Sequence, residues 1–181
     1  MELMTVNETF DRVFNVEEEM FDLLKVEHSL TTPVVTQEKV VALQDELLKM
    51  PQADIVTQHK FYPGVYERTI IVPPWTVLTG AEHKTAYKVR LEKGTIAVNV
   101  DSEIRVLTAP MEFDAPAGVQ RVGRVFEEEV IWTDIYENPD NCTDVEVLEN
   151  RLYVVPECGL GENRVAKLKH AQAEQLALEG V

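Results

Sequence analysis

Several ordinary ingredients are scarce in this chain. Only two of its 181 residues are cysteines, Cys142 and Cys158. They form no Cys-x-x-Cys pair and have no neighbouring histidine, which argues against a zinc site or a thiol nucleophile. The opening stretch MELMTVNETFDRVF lacks a basic region followed by an apolar core, so it does not read as a secretion signal, and the two thiols read as free in a reducing compartment. No apolar run approaches the ~20 residues that span a bilayer. Positive charge is in deficit: 17 Lys and Arg against 32 Asp and Glu give a net charge of −15. With the basic residues scattered, direct contact with a phosphate backbone is disfavoured. Gly159-Leu160-Gly161 opens no phosphate-cradling loop, and no serine sits in a nucleophile elbow.

What is present divides the chain into three. Residues 1–57 read as a helical extension. In NETFDRVFNVEEEMFDLLKVEHSL the apolar positions Phe10, Val13, Phe14, Phe21 and Leu24 fall near one face of a 3.6-residue period, with Asn7 as an N-cap. A second helix is expected from Thr36 as cap to Met50, with Val40, Leu43 and Leu47 buried and Pro51 as its stop. Such short one-sided helices need a surface to cover, either the following domain or another subunit. Residues 58–140 change texture. GVYERTIIVP, TAYKVRLE, TIAVNV, EIRVLT and EEEVIWTDIY are β-branched and aromatic segments between turn signals such as Lys93-Gly94 and Pro116-Ala117-Gly118. About seven or eight short strands without helices between them predict an antiparallel sandwich or barrel. Residues 141–181 form a C-terminal extension in which VEVLENRLYVVPE is open between helix and strand, and ENRVAKLKHAQAEQLALEG closes as a helix.

The middle region resembles a known family. Gly80, His83, Gly94 and the run LEKGTIAV are similar to the first motif of the cupin superfamily, and TAPMEFDAPAGVQRVG to the second. The segments FYPGVYERTI, LTGAEHKTAYK and PAGVQRVGRV resemble small cupin-like proteins of tailed bacteriophages. The resemblance implies a double-stranded β-helix, or jelly roll, and in metal-bearing members a set of three histidines and a glutamate. Counting from Gly94 places Ala81, His83 and Tyr87 at the first three of these positions, and counting from Pro116-Ala117-Gly118 places Arg121 at the last. One ligand of four remains, whereas a protein metal site needs at least three side chains. No metal or other cofactor is therefore expected. If a divalent metal site were rebuilt, His83, His59 and Glu112 are its candidates, with Glu67 in reserve.

Alternation across TAYKVRLE puts Tyr87, Val89 and Leu91 on the inward face, with His83 in the same parity. The candidate ligand-binding residues are thus His83, Tyr87 and Arg121 at the barrel mouth. Arg121 and Arg124 could hold a carboxylate or phosphate, or else pair with Glu127–Glu129. Trp75 and Trp132 are expected to fill the core or an interface. The acidic runs Glu17–Glu19 and Glu127–Glu129 are expected on solvated faces.

Three functions follow from these readings. The first is a non-catalytic, phage-encoded structural or accessory module acting by self-association or through virion proteins, found in the host cytoplasm during expression or in the virion. The second is a metal-dependent cupin enzyme, an oxygenase or sugar isomerase, with His83 as ligand or acid/base. The third is an acidic inhibitor of a host DNA-binding protein. The first is the reading the depleted ligand set favours, and it makes the protein a binder of proteins rather than of nucleic acid or membrane.

Overall fold

A computed structural model describes residues 4–26, 32, 34–154, 173–174 and 177–178. The strands are β1 (Val56–Tyr62), β2 (Gly64–Val72), β3 (Val77–His83), β4 (Tyr87–Lys93), β5 (Thr95–Val100), β6 (Glu103–Thr108), β7 (Met111–Ala115), β8 (Gln120–Val125), β9 (Val130–Asn138) and the two-residue β10 (Tyr153–Val154). They form two five-stranded sheets, ordered β1-β2-β9-β4-β7 and β10-β3-β8-β5-β6, in which every pairing is antiparallel. The two sheets close over a shared core as a jelly roll, the mainly β class with helical extensions that the sequence led us to expect. The acidic run Glu127–Glu129 precedes β9 rather than opening it.

The sheets differ in what covers them. The first packs Tyr66, Val72, Tyr87, Val89, Leu91 and Trp132 inward. Its outer face is polar: Lys88 pairs with Asp114, and Arg90 with Glu112 and Glu67. Hence TAYKVRLE alternates. The second sheet is buried on both sides. Its inner residues Ile96 and Val98 join the barrel core, while Ala97, Ile104, Val106 and Val122 meet the N-terminal helices. A strand covered on both faces has no reason to alternate, and in β5 the four residues from Ile96 to Asn99 are all buried.

The covering helices are α1 (Val6–Phe14), α2 (Glu18–Val26) and α3 (Gln37–Leu47). Thr5, not Asn7, caps α1, because Glu8 completes a reciprocal capping box with it. The single amphipathic stretch is broken at Asn15, which takes a left-handed conformation with φ 53°. The break lets Phe10, Phe14 and Phe21 converge, with ring centroids 4.8 and 6.3 Å from Phe10. Thr36 caps α3 as expected, and Val40 and Leu43 are buried, although the helix ends at Leu47 instead of reaching Met50. Of the two surfaces expected for these helices, they occupy the barrel's own.

Gly94 shows why the turn after β4 needs glycine. Its φ is 84°, and a Cβ there would stand 2.5 Å from the carbonyl oxygen of Glu129. The ambiguous VEVLENRLYVVPE is both things in succession: α4 (Val145–Leu152), capped by Asp144, and then β10. The closing helix and Cys158 fall outside the described residues, apart from helical residues at 173–174 and 177–178. Among the described residues, no helix is long and apolar enough to cross a membrane.

Candidate functional site

Strand alternation sends an unusual set of side chains into the barrel. From β2 come Tyr66, Arg68, Ile70 and Val72; from β4, Tyr87, Val89 and Leu91; from β9, Val130, Trp132, Asp134 and Tyr136. His83 ends β3, and β10 pairs Tyr153 directly with it. The rings of His83 and Tyr87 stack with centroids 3.9 Å apart, and Tyr153 meets His83 edge-on at 5.0 Å. Tyr136 lies at the centre of the hydrogen bonding. Its hydroxyl is 3.1 Å from His83 Nδ1 and 2.8 Å from Tyr153 Oη, and it donates to Asp134 Oδ2 at 3.4 Å. Trp132 Nε1 donates to Asp134 Oδ1 at 2.8 Å. Arg121 Nε donates to Tyr87 Oη at 3.1 Å, and its Nη1 donates to the Asn99 carbonyl.

Burial dominates the electrostatics. It pushes the His83 imidazole down to about 3, with the Arg121 and Arg68 charges adding to the effect, so His83 is neutral at physiological pH. Burial raises Tyr87, Tyr136 and Tyr153 above the ordinary phenol range. It also raises Asp134, against the opposing Trp132 hydrogen bond and the Arg68 and Arg121 charges. Asp134 is the carboxylate inside the barrel whose proton affinity has moved toward neutrality.

Beside this cluster lies a cavity of about 930 Å³ with Arg68, His83, Tyr87, Arg121, Asp134 and Tyr153 among its lining residues. It extends from the barrel interior to α1 and α3, with Val6, Gln44 and Leu47 also in its lining. Its apolar walls include Ile70, Val72, Leu78, Ile96, Val98 and Val130, and it opens between the α3–β1 linker around Pro51–Val56 and Trp75. The volume and the mix of apolar wall with a few convergent polar groups suit a small organic molecule. Trp75 does not fill the core. It stands at the mouth, 50% exposed, with φ 59°, a rare conformation for a bulky residue.

His83, Tyr87 and Arg121 are brought together where β3 ends and β4 and β8 begin, the first two buried and Arg121 partly so. The candidates for a rebuilt metal site are not. Glu112 projects from the outer face of the first sheet, where its Oε1 is 2.7 Å from Arg90 Nε, and Glu67 pairs with the same arginine. His59 is bound to Tyr66 Oη at 2.7 Å, and Tyr66 and Tyr136 stack in the row that leads from it to His83. Among the described residues no three His, Cys, Asp or Glu side chains group as a metal site. The donor set at His83 does not fit a divalent cation: its neighbours are phenols with raised proton affinity and the Arg121 guanidinium. Arg121 and Arg124 also part company. Neither pairs with Glu127–Glu129; Arg124 faces the helices, with Asp11 and Glu18 as its ion-pair partners.

The two antiparallel five-stranded sheets have the jelly-roll arrangement that the resemblance to cupins implied. No family model matches the chain, and no curated protein matches it. Among solved structures it is similar to the Cupin_2 domain of an XRE family transcriptional regulator from Enterobacter cloacae, at 18% identity and TM-score 0.42, covering 49% of this chain and 99% of that one. It is also similar to KdgF from Halomonas sp., at 14% identity and TM-score 0.43, covering 54% of this chain and 89% of that one. An RmlC-like cupin from Shewanella frigidimarina, at 19% identity and TM-score 0.42, matches over 54% of this chain and 85% of its own.

Proposed function

We propose that this protein is a metal-independent, non-catalytic binding module whose cupin-like barrel encloses a small organic molecule. The observation that carries the reading is the cavity of about 930 Å³, which runs from an open mouth at Trp75 to a hydrogen-bonded polar cluster around His83. A neutral imidazole with its pKa near 3 is a poor proton acceptor at physiological pH, and the phenols beside it are poor acids. These groups suit recognition better than turnover. A structural phage role rested on the depleted ligand set, on the resemblance to phage proteins and on helix faces in need of a partner. The last of these supports weakens, because those faces cover the barrel's second sheet.

The test is to fill the cavity. Leu78 is a partly buried wall residue, so Leu78→Trp adds bulk into space rather than into a packed core. Small organic acids and amides should raise the melting temperature of the wild type, as any ligand selective for the folded state does. They should have no effect on a folded Leu78→Trp variant. Equal stabilisation of both proteins would place binding elsewhere and remove the support for this reading.

One observation favours a second reading, a metal-free proton-transfer enzyme. Asp134 is a buried carboxylate on the cavity wall with a raised pKa, held by Trp132 and Tyr136, an arrangement typical of a general acid or base. That reading requires chemical conversion of a bound molecule, abolished in Asp134→Asn while binding persists.

A further inference from the structure

Two guanidinium groups stand in the cavity wall, and they are not equally occupied. Arg121 has its acceptors in Tyr87 and the Asn99 carbonyl and lies over the Phe113 ring. Arg68 is different. Its Nε–H is buried and has no hydrogen-bond partner, and its nearest described aromatic contact is the Tyr153 ring, 5.8 Å from Cζ. A buried donor on a charged group is costly to leave unmet. Such an orphan in a folded protein calls for an absent acceptor.

Among the described residues, the acids do not supply one. Asp134 is the cross-strand partner of Arg68 in the β2–β9 register, but its two oxygens accept from Trp132 and Tyr136. Glu149 of α4 senses the Arg68 charge without lining the cavity, and Asp54 lies exposed at the mouth. His83 carries no charge. Among the described residues the wall therefore holds two cations and one buried carboxylate, with the Arg68 Nε–H unengaged.

We propose that the cavity takes an organic monocarboxylic acid, its carboxylate received by Arg68 and its apolar body lying along Ile70, Val72, Leu78 and Val98 toward Trp75. This rests on the reading of the barrel as a small-molecule pocket. A guanidinium matches a planar carboxylate with two parallel hydrogen bonds. A phosphate dianion fits less well: it would need more donors than Arg68 alone offers and would sit beside Asp134. The apolar walls call for a hydrocarbon body, not a second charged group.

Both tryptophans of the chain, Trp75 and Trp132, line the cavity, so intrinsic fluorescence reports occupancy. Full-length protein is titrated with octanoate, 4-phenylbutyrate and 2-naphthoate and with the three matching neutral amides. The acids should bind at least about tenfold more tightly than their amides, the order expected when one charge-assisted pair is added in a dry site. Arg68→Gln, checked for folding by circular dichroism and thermal melting, should bring that ratio close to one while leaving amide affinity in place. Arg68→Lys should restore part of the preference. If amides bind as tightly as acids, or the preference survives in Arg68→Gln, the carboxylate assignment is overturned and the pocket stands. Displacement of the acids by inorganic phosphate at millimolar concentration would overturn it in favour of a phosphate site. Binding of none of the six compounds would overturn the pocket itself.

Discussion

The protein buries one arginine, Arg124, and partly buries another, Arg68, and treats them in opposite ways. Arg124, 2% exposed, lies between the second sheet and the N-terminal helices. Asp11 Oδ1 is 3.3 Å from its Nε, Glu18 accepts from its Nη2, and the Phe21 and Phe126 rings lie 4.5 and 5.1 Å from its Cζ. Nε and Nη1 lack well-aligned hydrogen bonds, so the match is one of charge and aromatic faces rather than a bidentate fork. Still, everything that balances Arg124 comes from this chain. Arg68 faces a cavity, and its cross-strand partner Asp134 already accepts from Trp132 and Tyr136. A buried charge answered by its own chain belongs to the fold; one that faces empty space belongs to binding.

Methionine at each position separates the two roles most sharply. Arg124→Met leaves the partly open Asp11 without its cation and removes the contacts to the Phe21 and Phe126 rings, so the loss should be about 3 kcal/mol, the low end for a broken buried pair. Arg68→Met removes a charge whose Nε–H is unmet; Asp134 loses a favourable charge but can take up a proton, so the loss should be smaller, about 1 kcal/mol. Urea unfolding of both variants measures this. Equal losses would erase the distinction between them.

Much of the barrel could be read from local pattern, and the reason is physical. Where one sheet face meets solvent, parity identifies the inner face, as at Tyr87, Val89 and Leu91 in TAYKVRLE. Glycine turns add a second local constraint, as at Gly94. The cavity cluster was less legible. His83, Tyr87 and Arg121 follow from counting along the motifs, whereas Arg68 and Asp134 sit on strands outside them. A signal existed: in GVYERTIIVP and EEEVIWTDIY, Arg68 and Asp134 share parity with Tyr66 and with Trp132 and Tyr136, which are buried. A charged residue on an inward-facing position is costly and therefore informative. Tyr153 had no local signal, because it reaches His83 only through α4 and the two-residue β10. Arg121 and Arg124 are three residues apart on a strand, so they face opposite sides, and that geometry outweighs the closeness of Glu127–Glu129 in sequence.

Acid should act on the two regions with opposite signs. His83 has its folded pKa lowered from 6.5 to about 3. Below pH 6.5 the unfolded chain takes up a proton that the folded chain refuses, so this residue's contribution to stability falls as the pH drops toward 3. Asp134 faces the same cavity with a raised pKa and pulls the other way, so the useful quantity is the difference between wild type and His83→Gln. Between pH 6.5 and 4.5 the wild type should lose about 2.5 kcal/mol relative to the variant. A difference that stays flat over that interval would mean that His83 protonates freely in the folded barrel.

At the helix interface Asp11 has its folded pKa raised from 3.8 to about 6, by burial first, with Arg124 lowering it and Glu18 and Glu8 raising it. The folded chain binds the proton more readily, so this contribution to stability increases as the pH falls from 6 toward 3.8 and is lost as the pH rises. Asp11→Asn mimics the protonated form. Its advantage over wild type should therefore grow between pH 4 and pH 7, to about 1 kcal/mol once solvent screening of a partly open carboxylate is allowed for. Thermal melts of the pair across that range measure it, and an advantage that shrinks with rising pH would contradict the assigned sign.

A third arginine supplies the smallest effect and the strictest control. Arg90, on the solvated face of the first sheet, has better hydrogen bonds than Arg124 or Arg68: Nε to Glu112 at 2.7 Å and Nη1 to Glu67 at 3.3 Å. If hydrogen-bond geometry set the energetic scale, Arg90 would matter more than Arg124. Water, however, can replace both acceptors, and salt screens the charges, so Arg90→Ala should cost less than ~1 kcal/mol and less again at high ionic strength. Urea unfolding at low and high salt makes the comparison. A loss as large as that of Arg124→Met would mean that contact geometry, not burial, ranks the arginines of this fold, and the reasoning that singles out Arg68 would lose its premise.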